Sequence, residues 1–314
     1  MPLRTASAVT FFYALGYPIG NMAVDAMTPM AVLAVRFGLA AAILGSWAAI
    51  ARVAWPTGRK LGHVAVTGLL MQAVQFCATY FAIQHGAPAV LCAVIVAMNP
   101  VATALLAATF LRDRLNVRRV LALLLGVAAV LAACASRMMA EKGLDPVVLL
   151  LLVALAGLAA GGVYQQRFCA DVDFRASTAI QNSVAFLPAL ILALTTHFAV
   201  HDAAKAVFAV AGVVLLNATL GVSLYVRAIN LHGAAAVSML FCVIPAVAGV
   251  LSWLMLGQGV DVGTGAGLVL GALACWLNAS GSKRGSREKS QDDPGGDGRG
   301  QDRVEPVHQP AVTG

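Results

Sequence analysis

Apolar residues in this chain come in long runs of about 18 to 25 positions, long enough to cross a bilayer as helices, separated by short clusters of charge, glycine and proline. Reading each run from one polar cluster to the next predicts ten helices. They fall near residues 5–22, 30–52, 62–83, 87–111 and 117–136, then 146–165, 177–197, 204–228, 233–256 and 262–280. A membrane strand would instead show roughly ten residues of strict alternation, which these runs do not. Each run satisfies its own backbone as a helix, as the absence of water in a bilayer core requires.

Composition sharpens this pattern. Of 314 residues, 60% are hydrophobic and 11% charged, against about 25% charged in a soluble domain. From Leu61 to Leu111 there is no Asp, Glu, Lys or Arg. A soluble protein of this size could not hide so much apolar surface, so lipid is the expected solvent. The opening run carries one basic residue, lacks a small-x-small cleavage site before a polar region, and is followed by another span, so it is expected to stay as a helix rather than act as a cleaved signal. The 34 residues from 281 to 314 mix six basic and six acidic residues with glycine and proline. They lack the apolar material to fold, which predicts a disordered cytoplasmic tail.

Charge sets the orientation. With the amino terminus inside, the inner side holds Arg4, Arg52, Arg59, Lys60, Arg112, Arg114, Arg118, Arg119, Arg167, Arg175, Arg227 and the tail cluster at Lys283, Arg284, Arg287 and Lys289. The outer loops hold Arg137, Lys142 and Lys205. This asymmetry places both termini in the cytoplasm of a multi-pass cell-membrane protein. The net charge of +7 follows from basic inner loops beside anionic lipid, and no aromatic-interleaved basic domain points to nucleic acid. The cysteines lie in or beside apolar runs without CxxC spacing and read as small core residues. No metal set and no phosphate loop is present, so no cofactor is expected.

The chain also repeats itself. Residues 99–115 read NPVATALLAATFLRDRL and residues 244–260 read IPAVAGVLSWLMLGQGV. The 145-residue offset from Pro100 to Pro245 also joins Tyr80 to Tyr225, Asp113 to Gln258, Gly126 to Gly271 and Gly16 to Gly161. Duplication accounts for five matches at one offset. Five spans per half is an odd number, so the second half starts from the opposite side and the halves are inverted. The first copy then ends inside, where RDRLNVRR is welcome, and the second ends outside, where it is avoided. An inverted pair of bundles can enclose a cavity and expose it alternately to the two sides, which points to transport.

These segments resemble the EamA group of the drug/metabolite transporter superfamily. The likeness is carried by TPMAVLAVRFGLAAAIL, by the two proline-led segments, and by LGVAAVLAAC with its second copy LGALACWLNA, over residues 5–280. The resemblance implies an all-α fold of ten helices in two five-helix repeats, residues 5–136 and 146–280, and export of a small metabolite such as an amino acid. The chain departs from the family pattern at Arg112-Asp113 and Gly257-Gln258, where glycine-glutamate is common, and at Leu15-Gly16, where tryptophan-glycine is common.

Within the spans, the candidate substrate-binding residues are Arg36, Tyr17, Asn21, Gln72, Gln75, Tyr80, Gln181, Asn217 and Tyr225. The amides serve either helix–helix hydrogen bonds or a cargo, and the two repeat-related tyrosines either packing or binding. Gln72, Gln75, Phe76 and Tyr80 are spaced to share one helix face. Arg36 either meets a carboxylate-bearing substrate or snorkels to the interface. Pro100 and Pro245 are expected to kink spans four and nine. No Asp or Glu lies near the middle of a span, so the chain shows no obvious proton carrier. A membrane enzyme acting on a lipid-linked substrate is the alternative, but no nucleophile, metal cluster or acid/base set faces a common cavity. The expected partners are a small-molecule substrate and the lipid bilayer, and the sequence does not indicate a homo-oligomer.

Overall fold

A computed structural model describes residues 2–87, 89–110, 146–196 and 198–257, with isolated positions 121, 124, 125 and 269. Helix α1 spans Leu3–Ala26, α2 Pro29–Ile50, α3 Gly58–Gln84, α4 Ala89–Val96 and α5 Asn99–Phe110. Then come α6 Pro146–Phe168, α7 Phe174–Thr195, α8 Ala203–His232, α9 Ala234–Cys242 and α10 Ile244–Leu256. Among the described residues the chain is helical apart from one isolated antiparallel bridge. Nearly all of the expected spans at 117–136 and 262–280, and the whole tail 281–314, lie outside the described residues.

Five described helices, α2, α3, α6, α7 and α8, are long and apolar enough to cross a membrane, and α9 with α10, bent by 45°, makes a sixth. Helix α1 is 24 residues long, but its threonines, tyrosines and Asn21 dilute its apolar character. Short local rules fix the starts. Pro29 opens α2, where a missing N–H costs nothing and φ is already helical. Asp173 accepts the Arg175 backbone N–H at 2.9 Å before α7, and Asp202 accepts that of Lys205 at 3.0 Å before α8.

Both repeated prolines sit at restarts rather than inside continuous helices. Pro100 is the second residue of α5, after a break following Val96, and Pro245 is the second residue of α10, after a break at Val243. A first-turn proline needs no N–H partner, so breaking and restarting avoids the clash that a mid-helix proline would cause.

Two helices carry a wider, π-type turn near their middles: Leu69–Val74 within α3 and Val213–Gly221 within α8. Such turns leave local backbone groups less regularly paired and are frequent at functional sites.

The bundle exposes large apolar side chains outside and buries polar groups among the apolar residues of its core. Leu39, Ile43 and Trp47 of α2 and Leu187, Ile191 and Leu194 of α7 are exposed. Arg36, Gln72, Gln165, Gln181, Asn182 and Asn217 are buried. So many exposed large apolar side chains suit a lipid surface rather than water.

Helix α2 packs along α7, where a Cβ on Gly38 would come to 3.1 Å from the Phe186 ring. Helix α3 approaches α7 still more closely. A Cβ on Gly68 would sit 2.7 Å from the Gln181 Cα, so only glycine allows the two backbones to meet there. At one end the α1–α2 and α7–α8 loops are clasped by the Met27–Val200 bridge, with the Thr28 N–H donating to the Ala199 carbonyl at 3.0 Å and the His201 N–H to that of Ala26 at 2.7 Å.

Candidate functional site

A buried cavity of about 60 Å³ lies between α1, α3, α4 and α8. Tyr13, Tyr17 and Asn21 of α1, Gln75, Phe76, Thr79 and Tyr80 of α3, Cys92 and Val96 of α4 and Asn217 of α8 line it. Gly16 and Gly20 keep the α1 wall open. A Cβ on Gly16 would collide with the Asn217 side chain, and one on Gly20 would lie 3.2 Å from the Tyr80 hydroxyl. The cavity runs from the bundle's middle, at Gly16 and Asn217, toward the clasped end, where α1 and α3 finish beyond Asn21 and Ile83.

Arg36 stands behind this wall. It is 1% exposed, so its side chain turns into the bundle and does not snorkel. Its Nη2 donates to Asn217 Oδ1 at 3.2 Å, and its guanidinium carbon lies 3.6 Å from the Phe76 ring centroid. The Tyr80 hydroxyl also lies beside the guanidinium, while Nε has no partner. Asn217 is held in turn by long bonds, 3.4 Å each, from Nδ2 to the Phe12 and Tyr13 carbonyls.

The candidates thus separate into groups. Tyr17, Asn21, Gln75, Tyr80 and Asn217 line the cavity, with an unpartnered Gln75 Oε1. Arg36 touches three lining residues. Gln72 does not share the cavity face with Gln75, because the wide turn that contains Gln72 breaks the regular spacing. Tyr225 packs edge-on against Tyr13 and Phe241, with ring centroids 5.7 and 5.6 Å away. Tyr13, Phe76 and Thr79 were not among the expected site residues, although Phe76 follows Gln75 directly and Thr79 lies one helical turn beyond it.

Gln181 belongs to a second cluster. Its Nε2 donates to Gln165 Oε1 and Ser177 Oγ, each at 3.0 Å. Gln165 Nε2 donates to Asn230 Oδ1 at 2.9 Å, and Asn230 Nδ2 to the Val172 carbonyl at 3.1 Å. At the same end Lys60 pairs with Asp171, and His63 Nδ1 meets the Tyr164 hydroxyl at 2.8 Å while its ring stacks on Phe168. The hydrogen bond from Lys60 holds the Asp171 carboxyl below its ordinary range. These contacts join α3 to α6, α7 and α8 at the end opposite the clasp.

Residues 4–134 and again 145–280 match the EamA-like transporter family. The chain belongs to the EamA-like transporter family. As an EamA-like chain of multiple apolar helices, it is a multi-pass membrane protein whose fold serves small-molecule transport. A solved structure described only as the crystal structure of a protein is similar over 90% of this chain and 99% of that one, with a TM-score of 0.64 at 17% identity, which bears on the fold alone. No curated protein matches this chain.

Proposed function

We propose that this protein moves a small amphipathic metabolite, such as an amino acid or a related compound, out of the cell by alternating access. The observation that carries the proposal is a cavity of amides, phenols and aromatic rings that runs from mid-bundle toward one end, while polar contacts tie the helices together at the other. Ten spans form two inverted five-helix repeats, residues 5–136 and 146–280, with both termini cytoplasmic and the tail as a solvated appendage.

The 145-residue offset supports the inversion at the level of side chains. Shifted by it, Leu69–Val74 falls on the wide turn of α8, Asn217 on Gln72, Tyr80 on Tyr225 and Arg36 on Gln181. Gly16, packed against Asn217, has its counterpart in Gly161, packed against Met71. If the repeats exchange conformations, Gln72 and Tyr225 take the places of Asn217 and Tyr80 at a cavity facing the other way. Tyr17, Asn21, Gln75, Tyr80 and Asn217 then meet the cargo in one state, and Gln72, Gln181 and Tyr225 in the other.

Purified protein in liposomes, loaded with a cell metabolite extract and followed by mass spectrometry, tests this. Selective release of amino acids or similar compounds is expected. Release no faster than from protein-free liposomes, whichever extract is loaded, would exclude transport.

A further inference from the structure

Among the described residues Arg36 is the buried one of the Lys, Arg, Asp and Glu side chains. Its guanidinium stays protonated throughout the physiological range. The ion pairs Lys60–Asp171, Arg175–Asp173 and Lys205–Asp25 all lie near helix ends, and among the described residues no carboxylate pairs with Arg36. What surrounds it is neutral: the amide oxygen of Asn217, the face of Phe76 and the hydroxyl of Tyr80. Neutral dipoles solvate a cation but leave its charge uncompensated, which is costly inside a membrane and marks a functional position.

These three neighbours are themselves cavity walls. Arg36 is therefore one side chain behind the surface a cargo touches. Asn217, the group in between, is tethered by one bond of 3.2 Å and two of 3.4 Å, all at the long end for such bonds, on a wide turn. Rotation of that amide would bring the guanidinium to the cavity. Its unpartnered Nε supplies one arm of the two-pronged donor that planar oxyanions match.

We infer that the transported molecule carries an oxyanion, most simply a carboxylate, and that Arg36 is the counter-charge that binds it once Asn217 turns aside. This rests on reading the cavity as the transport site. It narrows the cargo to compounds with a negative group, whether zwitterionic or anionic overall. The apolar and aromatic remainder of the cavity takes the uncharged end.

The test uses the full chain in oriented proteoliposomes with matched probes: phenylalanine, leucine and phenylacetate, each against its amide, and a metabolite extract. The wild-type protein is expected to move the acids and to move their amides at less than about a tenth of that rate, since the amide leaves the guanidinium uncompensated. Arg36→Gln is expected to lower acid flux at least about tenfold at matched protein amount, and Arg36→Lys to keep part of it with a raised KM, because the charge remains and the fork is lost. If the Gln variant fails to fold, the Lys variant carries the test through its KM for acids.

Amides moving as fast as acids overturn the inference, as does an Arg36→Gln or Arg36→Lys variant with unchanged acid kinetics. So does an extract whose moving components all lack an oxyanion, with the transport reading left standing. No flux from any source removes the transport reading itself.

Discussion

Arg36 on α2 and Asn217 on α8 are 181 positions apart in sequence and hydrogen-bonded at 3.2 Å inside the bundle. The contact ties the first half of the chain to the second at the mid-bundle end of the cavity. Asn217 also stands between a buried charge and the cavity. Two substitutions there separate its structural role from its gating role. Asn217→Leu removes the acceptor for Arg36 and the donor for two carbonyls, and is expected to destabilise the protein by about 1–3 kcal/mol. Asn217→Asp instead supplies an internal counter-charge. It should leave the melting temperature in detergent unchanged or higher while abolishing flux of acids, because the bound cation is no longer open to the cargo. Melting curves and flux on the same preparations check both outcomes.

The close approach of α3 to α7 makes Gly68 sensitive to a single added carbon. A Cβ 2.7 Å from the Gln181 Cα meets backbone, which cannot swing away. Gly68→Val is expected to cost about 1–3 kcal/mol through overpacking, read as a lower melting temperature and reduced yield of monodisperse protein. Gly45→Ala is the control. Nothing lies within 4 Å of its Cβ position in α2, so it should be neutral or stabilising by about 0.5–1 kcal/mol.

The Lys60–Asp171 pair predicts a pH dependence with a definite sign. Its carboxyl is held below the ordinary value of 3.8, so the folded protein binds that proton less readily than the unfolded chain. The stabilisation is complete above the ordinary value and lost as pH falls through the lowered one. Both side chains are well exposed, and the pair contributes about 0–1 kcal/mol. Asp171→Asn should therefore melt slightly below the wild type by a constant amount from pH 8 to pH 5. The two curves should converge below about pH 4, near the unperturbed carboxylate range.

Basic residues predict the sidedness. Cysteines introduced at Ser282 and Gly143, in a background without native cysteines, should react with an impermeant maleimide from opposite faces of the membrane. Labelling of both from the same face would overturn the topology and the inversion together.

Much of this architecture could be read from the order of residues. The apolar runs between polar clusters put the starts of α2, α7 and α8 near residues 30, 177 and 204, within a few positions of Pro29, Phe174 and Ala203, because composition decides where a span begins. The repeated prolines located two breaks, but not their form, since a proline tolerates either a kink within a helix or a restart at its first turn. The direction of Arg36 was not legible. A long cationic side chain one or two turns from a helix end can reach water or the core, and only the neighbouring Phe76 and Asn217, from other helices, decide between them. Gln72 and Gln75 were separated by a wide turn that the 3.6-residue period does not anticipate. Gln181 stands apart from the cavity, bonded to Gln165 and Ser177, a placement the sequence does not reveal because an intramembrane amide reads the same whether it faces a cavity or another helix.

The clasp between Met27 and Val200 has a consequence for how the protein is made. Roughly 170 residues separate the two partners, and synthesis at about 5–20 residues per second puts on the order of ten to thirty seconds between their emergence. During that interval α1 and α2 are already in place while the Ala26 carbonyl and the Thr28 N–H, later joined to His201 and Ala199, remain hydrated at the surface of the bilayer. The loop between α1 and α2 is thus a waiting half of a fastener, closed only after α7 has been threaded through the membrane and the later segment delivers the other half.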